Sequence, residues 1–175
     1  LATLSDDDCS DDAATAAITH LNTYLDFDAG LTKHQHIMRT LTETGHAKEA
    51  LEWYENCQIY YVADAIPIEV HHVAMRAYCQ LVDPEGAQLI FDKLSEPNPS
   101  SYGHLIKAYA RAGQLPIAMN LLHRIVHQQK EKGLPFPIRS GNIILLELAP
   151  AGRWEEALEL LSFLEDNASA DLVSY

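Results

Sequence analysis

Ser101-Tyr102-Gly103-His104-Leu105-Ile106-Lys107-Ala108-Tyr109-Ala110-Arg111-Ala112-Gly113, continued by Gln114-Leu115-Pro116-Ile117-Ala118, is the stretch from which the fold follows. Tyr102, Leu105, Ile106 and Tyr109 recur at intervals of three and four, which places them on one stripe of a helix. Gly113 closes that helix, because the residue just past a helix end commonly turns left-handed and glycine does so without steric cost. Pro116 falls in the first turn of a second helix, where its missing N–H is harmless. Ala118 then opens the apolar run Leu121, Leu122, Ile125. The unit is helix, short turn, helix.

Outward from this stretch the pattern recurs. Gly45 precedes Ala50, and Gly152 precedes Ala157, by the same five residues that separate Gly113 from Ala118. A fourth segment, Asp83-Pro84-Glu85-Gly86, lacks glycine at that position but supplies Ala87 with Leu89, Ile90 and Phe91. The four alanines lie 37, 31 and 39 residues apart, a loose period in the range of helical repeats. A lone two-helix hairpin cannot bury its apolar stripe, so neighbours must stack and share a core, and a small alanine lets paired helices approach closely. The expected fold is all-α: a right-handed α-solenoid of stacked helix-turn-helix repeats. Pro150, two residues before Gly152, predicts that the first helix of the last unit ends early or kinks. Trp53 and Trp154, beside the turns, are expected to pack between units.

Composition is that of a folded chain, with 47% apolar and 21% charged residues. No stretch approaches the roughly 18 apolar residues of a membrane helix, so no membrane span is expected. Cys9, Cys57 and Cys79 are scattered and odd in number, which argues against a disulfide framework and offers no paired zinc ligands. His123 and His127 are four apart on a helix, but Arg124 stands where a zinc-protease motif needs glutamate. There is no glycine-rich phosphate loop, nucleophile elbow or cysteine with an identifiable base. No catalytic residue, metal, cofactor or small-molecule substrate is therefore expected.

The residues 101–113 quoted above resemble the first helix of a pentatricopeptide repeat (PPR). Arg153-Trp154-Glu155-Glu156-Ala157-Leu158-Glu159-Leu160-Leu161 is similar to the start of that family's second helix, and Ile90-Phe91-Asp92-Lys93-Leu94 with Pro97 and Asn98 to the end of its shorter form. The signature of tetratricopeptide repeats is absent. On this resemblance the repeats fall at 31–67, 68–98, 99–137 and 138–171, and a further one begins at 172–175. An acidic leader occupies 1–12, and 13–30 forms a leading helix or incomplete repeat.

The resemblance implies an organellar protein, of mitochondrion or chloroplast, that holds single-stranded RNA on the concave face of its first helices. Bases are read by the fifth and last residues of each repeat. By position these are Gln35 with Pro67, His72 with Asn98, Gly103 with Pro137, and Asn142 with Asp171. Only the last pair matches a combination associated with a base, uracil, while Gly103 and Pro137 carry no side-chain group that can read one. The aliphatic second residue that sandwiches a base is replaced by Thr32, Glu69, Ser100 and Arg139, and only Val173 conforms.

Net charge is −13, which opposes phosphate binding unless the charges are segregated. The four first-helix windows, 31–44, 68–81, 99–112 and 138–151, carry Lys33, Arg39, Arg76, Lys107, Arg111 and Arg139 against Glu43, Glu69 and Glu147. The remainder holds six basic and 22 acidic residues. A mildly basic inner wall, with those six cations as phosphate contacts, and a strongly acidic outside are expected. Such an outside also suits docking onto a basic protein or ribonucleoprotein partner, and a protein-binding scaffold that reads no RNA is the alternative function.

Overall fold

The computed structural model describes residues 30–61, 66–134 and 137–172, with side-chain detail except at 31 and 168–172. The acidic leader, all but Gly30 of the leading segment, and 173–175 of the expected further repeat lie outside the described residues, while Leu172 ends the last helix. Eight helices occur among the described residues, and no strand. They are α1 Leu31–Glu43, α2 Ala47–Tyr60, α3 Ile68–Gln80, α4 Pro84–Asp92, α5 Pro99–Arg111, α6 Leu115–Glu131, α7 Ile138–Leu148 and α8 Trp154–Leu172. They pair as four hairpins, α1 with α2 through α7 with α8. The first helices α1, α3, α5 and α7 also pack side by side, and each second helix packs on the first helix of the following hairpin, α2 on α3, α4 on α5 and α6 on α7. The chain is an α-solenoid whose first helices share one wall.

All four hairpin turns use one hydrogen-bond pattern. The residue after the left-handed position donates its N–H to the carbonyl five residues earlier: His46 to Leu41 (2.8 Å), Asp83 to Tyr78 (3.0 Å), Gln114 to Tyr109 (2.9 Å) and Arg153 to Leu148 (3.3 Å). These bonds satisfy carbonyls that a helix end otherwise leaves open. Gly45, Gly113 and Gly152 hold the left-handed position with φ of 90°, 74° and 67°. In the turn where the sequence supplies no glycine, Val82 takes that position with φ 56°. A β-branched residue is strained there. The following helix is well anchored, with Pro84 in its first turn and Asp83 Oδ1 accepting from Gly86 N at 2.9 Å.

The left-handed residue gives a common ruler. Eleven residues before it stand His34, His71, Tyr102 and Gly141, and each meets a second helix. Trp53 Nε1 donates to His34 Nδ1 (3.0 Å), Tyr54 Oη bonds His71 Nδ1 (2.6 Å), and Phe91 meets Tyr102 edge-on at 5.0 Å. Gly141 lies so close to the Leu164 side chain that a Cβ would overlap it. The post-turn alanines Ala50, Ala87 and Ala118 are fully buried between helices, and Ala157 partly so.

The last hairpin departs in two ways. Helix α7 stops at Leu148, four residues before Gly152, whereas α5 runs to Arg111, two before Gly113. Pro150 accounts for the shortening, since it has no N–H to give the carbonyl four residues earlier and its ring crowds that carbonyl. Trp53 is buried as expected, but Trp154 is 64% exposed, which corrects the expectation that both tryptophans pack between units. Trp154 aligns with the buried Leu115 of α6, and no described helix packs beyond α8 to cover it.

Candidate nucleic-acid interface

Six residues before each left-handed position lie Arg39, Arg76, Lys107 and, in the last hairpin, Leu146. Three consecutive first helices thus present one cation each at an equivalent point of the shared wall. Helical periodicity alone does not bring these residues together; the side-by-side packing of α1, α3 and α5 does.

A groove of about 910 Å³ opens across α3, α5 and α7, with a volume in the range of ordinary ligand sites. Arg76, Lys107, Arg111 and Arg139 line it, and among the described residues no Asp or Glu does. Four of the six cations expected as phosphate contacts therefore surround one depression, although Arg76 also sits 3.8 Å from Glu43 at its rim. Lys33 and Arg39 are exposed on α1 and do not line the groove. Gly103 and Pro137, the silent base-reading pair, both line it, and the absent side chain of Gly103 leaves open space as far as Ser140 Oγ, 3.9 Å from where a Cβ would be.

The groove's chemistry is that of fixed cations beside neutral groups. Burial, reinforced by neighbouring His72 and by the positive charges of Arg76 and Lys107, pushes the His104 imidazole down to about 4, so it is neutral at physiological pH. Burial raises the Cys79 thiol despite the nearby Lys107 and Arg111, with a smaller push in the same direction from the Glu147 carboxylate, which leaves it protonated and a poor nucleophile.

The base-reading candidates fall in different settings. His72 and Asn98 are joined through Ser101. Asn98 Oδ1 accepts from Ser101 N (3.0 Å) and Ser101 Oγ (3.1 Å), while Asn98 N donates to Ser101 Oγ (3.3 Å), a reciprocal cap at the start of α5. Because Ser101 spends its one hydroxyl proton on Asn98, the 2.8 Å contact with His72 Nε2 is donated by the imidazole. His72 then keeps a lone pair on Nδ1, and Asn98 keeps its Nδ2 hydrogens. Gln35 is half-buried on α1 and Asn142 exposed on α7. Asp171 belongs to α8, but its side chain is outside the described residues.

Two contributors escaped the sequence reading. His104 faces the groove, and its ring centroid lies 5.1 Å from that of His72. Gln129, on α6, lines the groove from the second-helix side. Its legible signal is position: Ala118, Leu122, Ile125 and Gln129 continue one buried stripe, and the last member is polar. His123 and His127 lie elsewhere, one against the Phe163 ring at 4.8 Å and the other 3.5 Å from Glu131.

Residues 100–128, from α5 into α6, match the family model of the PPR repeat. No curated protein matches the chain.

Proposed function

Starting from a helical-repeat chain that carries a PPR repeat, we propose that it associates with single-stranded RNA along the wall made by α1, α3, α5 and α7. The observation that carries this reading is the concentration of Arg76, Lys107, Arg111 and Arg139 around a groove that no carboxylate of the described residues lines, in a chain of net charge −13. The phosphate backbone follows the row Arg39, Arg76, Lys107, with Arg111, Arg139 and Lys33 as flanking contacts. Fixed cations attract any phosphate chain and convey no sequence preference by themselves.

Base contacts are assigned to Gln35, to His72 with Asn98, and to Asn142 with Asp171. His72 Nδ1 as acceptor and Asn98 Nδ2 as donor are complementary to a base edge, and the cap that fixes them also limits their freedom. The setting of this activity is organellar, in transcript handling or a ribonucleoprotein complex. The experiment is binding of a single-stranded RNA pool at low and moderate salt, with wild type and with Lys107 and Arg111 changed to glutamine. Retention that weakens uniformly across sequences in the variant supports the reading, and no retention at either salt overturns it.

A second reading is favoured by the outer face. Glu52, Glu55, Glu85, Glu155, Glu156 and Glu159 are exposed on second helices. A protein-binding scaffold would dock a basic partner there by charge complementarity. This reading stands alone if RNA is not retained.

A further inference from the structure

Gln129 presents an unmet requirement inside the cationic groove. The residue is 7% exposed, lines the groove, and its Oε1 is closed off from solvent without a hydrogen-bond donor among the described residues. Buried carbonyl oxygens are nearly always paired, and an unpaired one is a standing cost that an arriving donor relieves. The α6 backbone holds this residue firmly, since Gln129 O accepts from Leu134 N at 2.9 Å and Lys132 N at 3.1 Å in the turn that ends the helix. Oε1 accepts and cannot donate, so it calls for an N–H or O–H. The surrounding Arg76, Lys107, Arg111 and Arg139 call for anionic oxygens. A nucleotide meets both requirements, since it carries a phosphate with ring or exocyclic N–H groups a few ångströms away.

We infer that Gln129 is a base-contacting residue of this groove, its Oε1 accepting an N–H from a nucleobase whose flanking phosphates lie on Lys107, Arg111 and Arg139. This inference rests on the RNA reading above. It assigns the contact in the third hairpin to the end of the second helix, where Gly103 and Pro137 at the expected reading positions bring no side-chain hydrogen bond. Gly103 contributes space instead. Contact requires the Gln129 amide to turn toward the groove, and no hydrogen bond of Oε1 among the described residues has to break for it to do so.

The test compares binding of short single-stranded RNAs of A, C or U with an oligomer of the same length whose central sugars carry no base. Wild type is set beside Gln129→Leu, Gln129→Met and the Lys107→Gln, Arg111→Gln double variant, and the melting temperature of each is recorded. Leucine and methionine fill the space without an unpaired oxygen. Both variants are therefore expected to melt at or above the wild-type temperature, yet to lose on the order of tenfold in affinity for at least one base-bearing RNA and nothing for the abasic oligomer. The double variant is expected to weaken binding to every oligomer, abasic included. If both Gln129 variants bind all oligomers as wild type does, or lose base-bearing and abasic ligands equally while melting earlier, Gln129 is structural and the inference falls. If the double variant binds as tightly as wild type, or wild type retains no RNA, the RNA reading itself fails and takes this inference with it.

Discussion

Val82 does the work of a glycine with a β-branched side chain. Its φ of 56° lies in the region where an L side chain costs about 1–2 kcal/mol, and the equivalent residues in the other three turns are glycines. Val82→Gly removes that strain, while the greater freedom of glycine in the unfolded chain returns part of the gain. The expected net is a stabilisation of about 0.5–1 kcal/mol, read as a higher denaturant midpoint at unchanged slope. A lower midpoint would mean that the valine side chain makes a compensating contact. His104 gives the second residue-scale expectation. Its imidazole is held near 4 by burial and neighbouring positive charge, whereas the unfolded chain protonates near the ordinary 6.5. Between those values the unfolded state binds more protons, so stability is complete above about pH 6.5 and falls as pH drops toward about 4. His71 and His72 shift the same way, chiefly through burial. Thermal midpoints should fall from about pH 7 to about pH 5, and His104→Gln should lessen that fall.

At the scale of helices, equivalent positions behave differently according to what covers them. Leu122 of α6 is fully buried, and Leu161, at the same distance from its turn in α8, is 42% exposed. Leu122→Ser should cost about 2–5 kcal/mol by opening a cavity and burying a hydroxyl, while Leu161→Ser should cost less than about 1 kcal/mol. Chemical denaturation of both variants checks this, and equal losses would show that α8 is covered as fully as α6. The start of α5 rests on a single side chain. Asn98→Ala removes an acceptor used by both Ser101 N and Ser101 Oγ and should cost about 1–2 kcal/mol in the same assay. The helix pairs were legible because Gly113, Pro116 and Ala118 each express local backbone chemistry. Trp154 was misjudged because its burial depends on a neighbour, and nothing in the local sequence reports whether one is packed there.

Over the whole molecule, charge is sorted by helix class. Cations on the first helices gather on the shared wall, and carboxylates dominate the outside, so a strongly acidic chain keeps a groove lined by four cations. Each neutralised phosphate of a single strand contributes about −0.7 to the slope of log affinity against log salt. The four groove cations should therefore contribute about −3 to the slope, and removing Lys107 and Arg111 should lessen it by about 1.4. Titration across salt concentrations measures both, and a slope unchanged in the variant would place the phosphates elsewhere.

By itself the sequence determined the hairpin unit, because helix periodicity, a left-handed turn residue and a small alanine are consequences of a few neighbouring residues. It also determined that the first helices are the basic ones, which is a matter of counting. Only the tertiary structure decided that Arg76, Lys107, Arg111 and Arg139, drawn from three helices, surround one groove, since that depends on how hairpins stack. It decided as well that Ser101 ties His72 to Asn98, that Val82 carries a turn, and that the Gln129 side-chain oxygen finds no donor among the described residues. Backbone preferences act over one or two turns of chain. Hydrogen-bond partners and fields act through space, between residues whose proximity only the packing creates.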